Sequence, residues 1–323
     1  MNFQTRILVL VFTLLLAGVL VLDGCAGGMS SMSPPNTGSG AARSASGSSR
    51  GNNMATFTYT TLDVPGGQNT QPRAISNNGI VVGSFETGSG DFITMHGFIF
   101  QKGNFTTLDF PNSPLTAASG VNNSGVVVGT YSNVTANPPI ESSFMFQNGQ
   151  FTNIDCAGGN SPNMIEAAGI TDSGVVVETL SNSTRSGTTI MLRSPDGSCQ
   201  QVGVSSDFGQ AFAQGINNSL DLSAEVEDSG GFLQNAAIRE QGNWTRVDFP
   251  LIGGINNRDD VVGDSDISGK QGLLLRKGNK ITIAFPGAAF TMAVGLNDKD
   301  VIVGNYSTNQ TNFPLHGFIA TPK

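Results

Sequence analysis

Charged side chains are scarce in this sequence. Asp, Glu, Lys and Arg together make up 12% of its 323 residues, against about 25% in ordinary soluble proteins. This scarcity excludes disorder driven by charge and long surface helices stabilised by ion pairs. The formal net charge of −8 argues against a nucleic-acid partner, because phosphate binding needs clustered Lys and Arg.

Histidine and cysteine, which often act in catalysis or bind metals, are also few. The chain has two histidines, His96 and His316, and three cysteines. Both histidines occupy the same place in two copies of an internal repeat, so we interpret them as structural. With no third histidine, the sequence does not support a histidine-dependent catalytic triad or a multi-histidine metal site. We find no Walker loop or dinucleotide motif, and we predict no catalytic residue and no cofactor.

Only one long apolar run occurs, from residue 7 to residue 22, after the single basic residue Arg6. It is short for a membrane span, which needs about 20 apolar residues, and it is typical of a signal peptide. The run leads into Leu22-Asp23-Gly24-Cys25, which resembles the lipobox of bacterial lipoproteins, with Asp23 departing from the pattern. The resemblance implies a lipid on Cys25 and an outer-membrane or cell-surface location. An ordinary secretory signal, giving a periplasmic or secreted protein, is the alternative.

What the sequence has in abundance is glycine, 42 residues of 323, together with Val, Thr and Asn. This composition favours an exported all-β protein with many tight turns. Residues 26–55 are almost entirely small and polar, which predicts a flexible tether. We therefore divide the chain into a signal peptide at 1–24, the lipidated cysteine with its tether at 25–55, and a repeat domain at 56–323.

The repeat domain contains six copies of one phrase: a small residue, an aliphatic residue, then an Asn/Asp-rich turn. The aliphatic residues are Ile75, Val121, Ile170, Ile216, Ile255 and Leu296. Most copies continue into a β-branched run that ends in glycine, and then into a third and a fourth apolar strand. Four short strands in about 40–49 residues match one blade of a β-propeller.

The ends of the chain favour a closed ring. The fourth-strand phrase first occurs alone at residues 57–64, and the chain ends after a third strand at 318–320. We therefore predict a six-bladed β-propeller of four-stranded antiparallel blades, whose last blade is closed by the N-terminal strand. Closure of this kind removes exposed strand edges. A β-solenoid is the alternative.

The unit resembles the HAF-type extracellular repeat of bacterial proteins. The resemblance depends on His96-Gly97-Phe98, His316-Gly317-Phe318 and the turn phrase with its following Val-Val-Gly. It covers residues 57–320 in six copies, two of them degenerate. It implies an exported repeat protein and carries no defined activity.

The sequence alone leaves the interpretation of two candidate sites undecided. Cys156 and Cys199 replace aromatic residues of the repeat, and they are either two buried thiols or a disulfide between neighbouring blades. Asp264, Asp266 and Ser268 carry oxygen atoms at alternating positions before a glycine, a spacing that can hold calcium. The alternative for this segment is a polar hairpin loop between the second and third strands of the fifth blade.

Several carboxylates do not follow the repeat, and they are candidates for a functional site. Glu178 replaces the glycine that ends the second strand, Glu225 follows in the degenerate fourth copy, and Glu141 and Glu166 are predicted in nearby loops. We expect a non-catalytic binding or scaffold module of the cell envelope, with a glycan, peptide or protein ligand. The alternative is a polysaccharide-acting hydrolase or lyase that uses Glu178, Glu225 or Asp264 on one face.

Overall fold

The computed structural model describes residues 56–133, 140–156, 164–182, 187–227, 233–265, 270–309 and 314–323. The predicted signal peptide, Cys25 and the tether lie outside these residues, as do Asp266 and Ser268. In the described part, no helix has the length and apolar character needed to cross a membrane.

The described residues form 24 strands and one short 3-10 turn at Gly90–Phe92. The first twelve strands are β1 (Phe57–Leu62), β2 (Gln68–Ile75), β3 (Val81–Thr87), β4 (Thr94–Gln101), β5 (Asn104–Leu108), β6 (Leu115–Val121), β7 (Val127–Asn133), β8 (Ile140–Gln147), β9 (Gln150–Asn153), β10 (Met164–Ile170), β11 (Val176–Ser181) and β12 (Thr189–Arg193). The others are β13 (Cys199–Val202), β14 (Gln210–Ile216), β15 (Leu222–Glu227), β16 (Leu233–Glu240), β17 (Asn243–Val247), β18 (Leu251–Ile255), β19 (Val261–Asp264), β20 (Gly272–Arg276), β21 (Asn279–Ile283), β22 (Phe290–Leu296), β23 (Ile302–Ser307) and β24 (His316–Pro322). The protein is therefore all-β, as its composition predicts.

The strands associate as four-stranded antiparallel units. Strands β2–β5, β6–β9, β10–β13, β14–β17 and β18–β21 form units one to five, and β22–β24 with β1 form unit six. Single parallel contacts, Met95 with Leu115 and Met164 with Glu141, also link the first three units edge to edge. Each unit holds one copy of the sequence repeat.

The N-terminal strand belongs to the last unit. Strand β1 pairs antiparallel with β24, from Phe57 opposite Pro322 to Leu62 opposite Gly317. The prediction that the N-terminal strand completes the last unit is therefore confirmed. The pairing gives β24 a neighbour on both sides, since β23 pairs along its other edge.

The apolar core lies between consecutive units. Val82 of unit one packs with Val127 and Phe144 of unit two in one buried cluster. Val303 of unit six packs in the same way with Phe98 of unit one. Alternating side chains on each sheet thus face the neighbouring units, and burying both faces explains the Val- and Phe-rich strands.

Every first strand of a unit contains a β-bulge. The register shifts around Ser119 in β6 and around Ala168 in β10, and at the equivalent residues of the other units. In units two to six a glycine at or after the bulge allows close approach between units: a Cβ on Gly120 would lie 2.8 Å from the Cα of Gly169. A bulge re-aims one residue out of the strand's alternation, and here a bulge residue from each of the six units lines the same cavity.

Candidate functional site

The Asn/Asp-rich turns give their first residue a local role. The Oδ1 atom of Asn122 accepts hydrogen bonds from the backbone N–H groups of Ser124 and Val126. Asn217, Asn256 and Asn297 make the equivalent bonds, and Ser76 and Thr171 replace them with a hydroxyl in units one and three. Side-chain bonds of this kind hold a tight turn without help from the rest of the fold.

The second residue of each turn has a non-local role. Its backbone N–H donates to the side-chain Oδ1 of the equivalent residue in the next unit, over 2.7–2.9 Å. In order, these residues are Asn77, Asn123, Asp172, Asn218, Asn257 and Asp298, and Asp298 donates back to Asn77. We call this set the Asn/Asp ring. It surrounds a small polar cavity of about 80 Å³.

The order of Asn and Asp in the ring follows from the need of the Asn side-chain amides for hydrogen-bond acceptors. The amides of Asn123 and Asn218 both donate to Oδ2 of Asp172, each over 2.8 Å. The amides of Asn77 and Asn257 both donate to Oδ2 of Asp298. The side-chain amides of the four Asn residues in the ring thus donate to two carboxylates. These two Asp residues lie three units apart. Sequence reasoning treated these residues as turn formers only, although the Asp in copies three and six was visible.

We predict that Asp298→Asn lowers the free energy of unfolding by about 1–2 kcal/mol, because one donor of the ring then faces another donor. Burial acts to raise the pKa of Asp298, but the bonds from Asn257 and Asn77 outweigh it and hold the pKa below its ordinary value. The contribution of Asp298 is therefore complete above the ordinary carboxyl pKa and is lost as the pH falls through the lowered one. Urea unfolding at neutral pH measures the effect. The exposed Asp207→Asn is the control, and equal losses in the two variants would contradict the role of the ring.

A second, larger cavity of about 110 Å³ lies at the opposite end of the first strands of the units. All six bulge residues line it: Arg73, Ser119, Ala168, Gln214, Gly253 and Val294. We call it the axial cavity. Its six equivalent lining residues are all different, whereas the Asn/Asp ring is nearly uniform.

The axial cavity contains charges of both signs. Arg73, Glu141 and Glu166 line it, and Glu225 interacts electrostatically with Arg73. Burial lowers the pKa of Arg73, while the attraction of Glu225 and Glu166 acts in the opposite direction. An arginine remains charged at neutral pH even so. Among the described residues, the cavity lining therefore includes one guanidinium and two carboxylates, and a third carboxylate interacts with that guanidinium.

One hydroxyl of the cavity wall lacks a partner in the described residues. Ser132 is 2% exposed, and its Oγ has no hydrogen bond there. It lies on β7 directly opposite Glu141 on β8, and both line the cavity. A buried hydroxyl without a partner costs free energy, so this position favours a polar group inside the cavity.

The carboxylates singled out from the sequence do not all meet here. Glu178 is fully buried, does not line the cavity, and its Oε2 accepts a hydrogen bond from the backbone N–H of Cys156 over 3.0 Å. The prediction that Glu141 and Glu166 lie in loops is wrong, because they lie in strands β8 and β10. Sequence reasoning missed Arg73, since nothing in a local pattern marks the residue that a bulge turns inward.

Asp264 is not part of a hairpin loop. It is the last residue of β19, pairs in register with Leu251 and Gly272, and is 2% exposed. Among the described residues, no group of three or more His, Cys, Asp or Glu side chains is placed to hold a metal ion. The calcium prediction for Asp264, Asp266 and Ser268 depends on residues outside the described ones and stays a prediction.

Cys156 and Cys199 form a disulfide in the structure, with their Cα atoms 5.9 Å apart. The bond joins the segment that connects β9 of unit two with β10 of unit three to strand β13 of unit three. In unit two, the equivalent residues Phe110 and Phe151 are in edge-to-face contact, with ring centroids 5.3 Å apart. The contact between equivalent aromatic residues is thus replaced by a covalent bond in unit three.

Glu178 fills space that belongs to aromatic rings in other units. A Cβ on the equivalent Gly129 would lie 2.7 Å from the ring of Phe144. In unit three, the residue facing Glu178 is Met191, so the ring is absent. Burial raises the pKa of Glu178 to about 7, although the hydrogen bond from the Cys156 N–H acts to lower it.

The two histidines make the same type of contact in two units. Nδ1 of His96 lies 2.7 Å from a carboxylate oxygen of Asp109, and Nδ1 of His316 lies 2.8 Å from one of Asp63. Nε2 of His96 is also 2.9 Å from the hydroxyl of Thr87. Because the His–Asp pair recurs between β24 and the segment after β1, we assign it to construction of the repeat unit.

Fold and site together define an all-β repeat protein of four-stranded antiparallel units with a cavity among their first strands. No family model and no curated protein matches the sequence. Among solved structures, the Hadza microbial sialidase Hz136 is similar at a TM-score of 0.51 and 11% identity, over 79% of this chain and 66% of that chain.

Two further solved structures are similar at lower scores. A gluconolactonase from Xanthomonas campestris has a TM-score of 0.48 and 13% identity, over 79% of this chain and 87% of its own. A catalytically inactive virginiamycin B lyase from Staphylococcus aureus has a TM-score of 0.46 and 13% identity, over 83% and 100%. At these identities the likeness concerns the fold and not the chemistry.

Proposed function

We propose that the six units are the blades of a closed six-bladed propeller. The pairing of β1 with β24 supports this, as does the Asn/Asp ring, whose last donor returns to Asn77. The contact between Val303 and Phe98, which are far apart in the sequence, joins units six and one in the same way as other neighbours. Glycines at the first strands let the units approach closely, for example Gly215 beside Gly254.

We further propose that the propeller is an exported binding module, held at the cell envelope by a lipid on Cys25, and that it takes its ligand in the axial cavity. One observation carries this assignment: at equivalent positions, the cavity lining differs in all six units while the ring at the other end is conserved within the chain. Symmetric residues build the ring, and departures from symmetry are concentrated where a ligand would bind. The disulfide supports export, because such bonds persist in oxidising compartments.

Filling the cavity tests the binding function. We expect Ala168→Phe to abolish retention of envelope-derived glycans or peptides by the purified protein, because Ala168 lines the cavity. Thr107→Phe is the matched control, since Thr107 is exposed on the outer strand β5. Native mass spectrometry reads both retention and the mass of the ligand. Retention that survives Ala168→Phe would contradict the assignment.

The enzyme alternative has one observation in its favour, since Glu141 and Glu166 line the same cavity. Two carboxylates about 5–10 Å apart can hydrolyse a glycosidic bond. Glu178 is excluded from such a pair because it is buried beside Cys156. The same mass spectra distinguish the two functions, because a binding module returns its ligand unchanged and a hydrolase returns shorter products.

For the anchor, we expect Cys25→Ser to move the protein from the membrane fraction to the soluble fraction, because serine cannot carry the thioether lipid. Fractionation of cells followed by immunoblotting measures this. Unchanged membrane association would contradict lipidation.

A further inference from the structure

The lining of the axial cavity is shared unevenly among the six units. Eight of its 17 described lining residues lie in unit two, whereas units five and six each contribute one, Gly253 and Val294. The cavity is therefore mainly a feature of unit two.

The strand register identifies the residue that makes unit two different. Ala117 in β6 stands two residues before the bulge residue Ser119 and pairs with Thr130 in β7, and all three line the cavity. The equivalent residues of units one, three, four, five and six are Gln71, Glu166, Phe212, Leu251 and Met292. Ala117 is the smallest of the six, so unit two lacks the long side chain that every other unit has at this position.

The missing side chain indicates the size of the group that would fill the cavity. Gln71, Phe212 and Leu251 are 1%, 5% and 8% exposed, so their side chains fill the interior of the fold. An apolar cavity of about 150 Å³ can hold benzene, and the axial cavity measures about 110 Å³. A branched aliphatic group of about four carbons, somewhat smaller than benzene, therefore suits it. Leu251 supplies such an isobutyl group in unit five.

The charged residues of the wall already have partners. Arg73 interacts with Glu225 and Glu166, and Glu141 likewise takes part in an interaction within the protein. An ionised ligand would therefore lose its hydration without meeting a counter-charge that is free to pair with it. The balance of charges in the wall thus favours a neutral ligand.

One neutral group of the wall is available to orient such a ligand. Ser132 is 2% exposed, and its Oγ is the only buried side-chain nitrogen or oxygen atom of the described lining residues without a hydrogen-bond partner there. A hydroxyl both donates and accepts, so a neutral alcohol or amide can satisfy it. The cavity thus offers an apolar space beside Ala117 and one polar contact.

We propose that the axial cavity binds a small neutral ligand with a branched aliphatic group, which packs against Ala117 in the place of the absent side chain while its polar group hydrogen-bonds with Ser132. This inference rests on the proposed binding function. It explains why unit two departs from its five equivalents at this position. The ligand completes the packing that Phe212 and Leu251 provide in their own units.

The test is isothermal titration of the full mature protein with three probes of the same carbon skeleton: 2-methyl-1-propanol, isobutylammonium chloride and sodium isobutyrate. We expect saturable binding of the alcohol. Both ions should bind about tenfold more weakly or less, because neither finds a free counter-charge.

Two variants locate the site. Ala117→Leu places the Leu251 side chain in unit two, so it should abolish binding of the alcohol and raise the thermal unfolding midpoint by about 2–4 °C, since it fills existing space. Ser132→Ala should weaken binding about fivefold, the effect of one hydrogen bond, without lowering that midpoint. Ala284→Leu is the matched control, because Ala284 is exposed, and it should leave binding unchanged.

Each other outcome overturns a defined part of the argument. Equal or tighter binding of either ion would show that the cavity recognises charge and would sink the inference. Binding that survives Ala117→Leu, or a lowered midpoint in that variant, would also sink it, because the space would then lie elsewhere or be filled already. Unchanged binding in Ser132→Ala would remove the polar contact.

Failure of the proposed function is distinguishable from failure of this inference. If no probe binds while envelope ligands are retained by the wild type and lost in Ala168→Phe, the inference falls and the binding function stands. If neither the probes nor envelope ligands bind, the binding function falls as well.

Discussion

Removal of the disulfide, by Cys156→Ala together with Cys199→Ala, is expected to lower the free energy of unfolding by about 4 kcal/mol. The two cysteines are 43 residues apart, and the entropy that a cross-link of this length removes from the unfolded chain corresponds to about that value. Cys156 is also fully buried beside Ile165, Leu180 and Met191, so the truncated side chains lose some packing contacts in addition. Urea unfolding under non-reducing conditions measures the loss.

Reductant provides the control for this prediction. A thiol reductant should lower the unfolding midpoint of the wild-type protein toward that of the double variant and leave the variant unchanged. If the wild-type midpoint does not respond to reductant at any concentration, the cross-link is absent in solution and the structural assignment is wrong.

The second large effect is expected from Glu178→Gln. Its pKa of about 7 in the folded protein compares with an ordinary value of 4.5. Below about pH 4.5 the carboxyl is protonated in both states and contributes no difference. Between about pH 4.5 and 7 the unfolded chain releases its proton first, so wild-type stability falls as the pH rises. Above about pH 7 the loss is complete and amounts to about 3 kcal/mol.

Glutamine imitates the neutral acid, since its amide oxygen can accept the hydrogen bond from the Cys156 N–H. We therefore expect the variant to equal the wild type at about pH 4 and to exceed its unfolding free energy by about 3 kcal/mol at about pH 8. The difference between the two proteins is the measured quantity, because other carboxyls titrate equally in both. The exposed Glu240→Gln should show no such pH dependence. A variant less stable than the wild type at pH 8 would contradict a raised pKa.

The two effects should be coupled, because Glu178 and the disulfide share the Cys156 backbone. In the protein without the disulfide, the segment around Cys156 is less constrained, water reaches Glu178 more easily, and its pKa should fall toward 4.5. The pH-dependent gain of Glu178→Gln should then shrink. Independent, additive effects would show that the burial of Glu178 does not depend on the cross-link.

Much of the fold followed from local patterns. Alternating apolar residues and Asn/Gly turns predicted four strands in each copy, since turn chemistry and side-chain alternation depend on neighbours in the sequence. The isolated strand phrase at residues 57–64 predicted the pairing with the C-terminal strands that β1 and β24 make. The six copies also identified the Asn/Asp-rich phrase as a tight turn, which agrees with the bonds of Asn122.

The candidate site followed from the sequence far less well. Glu141 and Glu166 look like loop residues, because the repeat does not use charge there, yet both lie in strands that line the cavity. The disulfide looked unfavourable because Cys156 and Cys199 stand at opposite ends of their strand phrases. The equivalent residues Phe110 and Phe151 are in contact, so the fold brings these two positions together. Their proximity is visible only in the packed structure.

By itself, then, the sequence determined the number of repeats, the strands within each unit and the partner of the N-terminal strand, because each depends on short-range turn chemistry or on a pattern repeated in phase. The tertiary structure alone decided that Arg73 points into the axial cavity, that six turn residues form one ring, and that Glu178 is buried next to Cys156. Those features join residues tens to hundreds of positions apart, and their energies depend on burial and on hydrogen-bond partners that exist only once the units have come together.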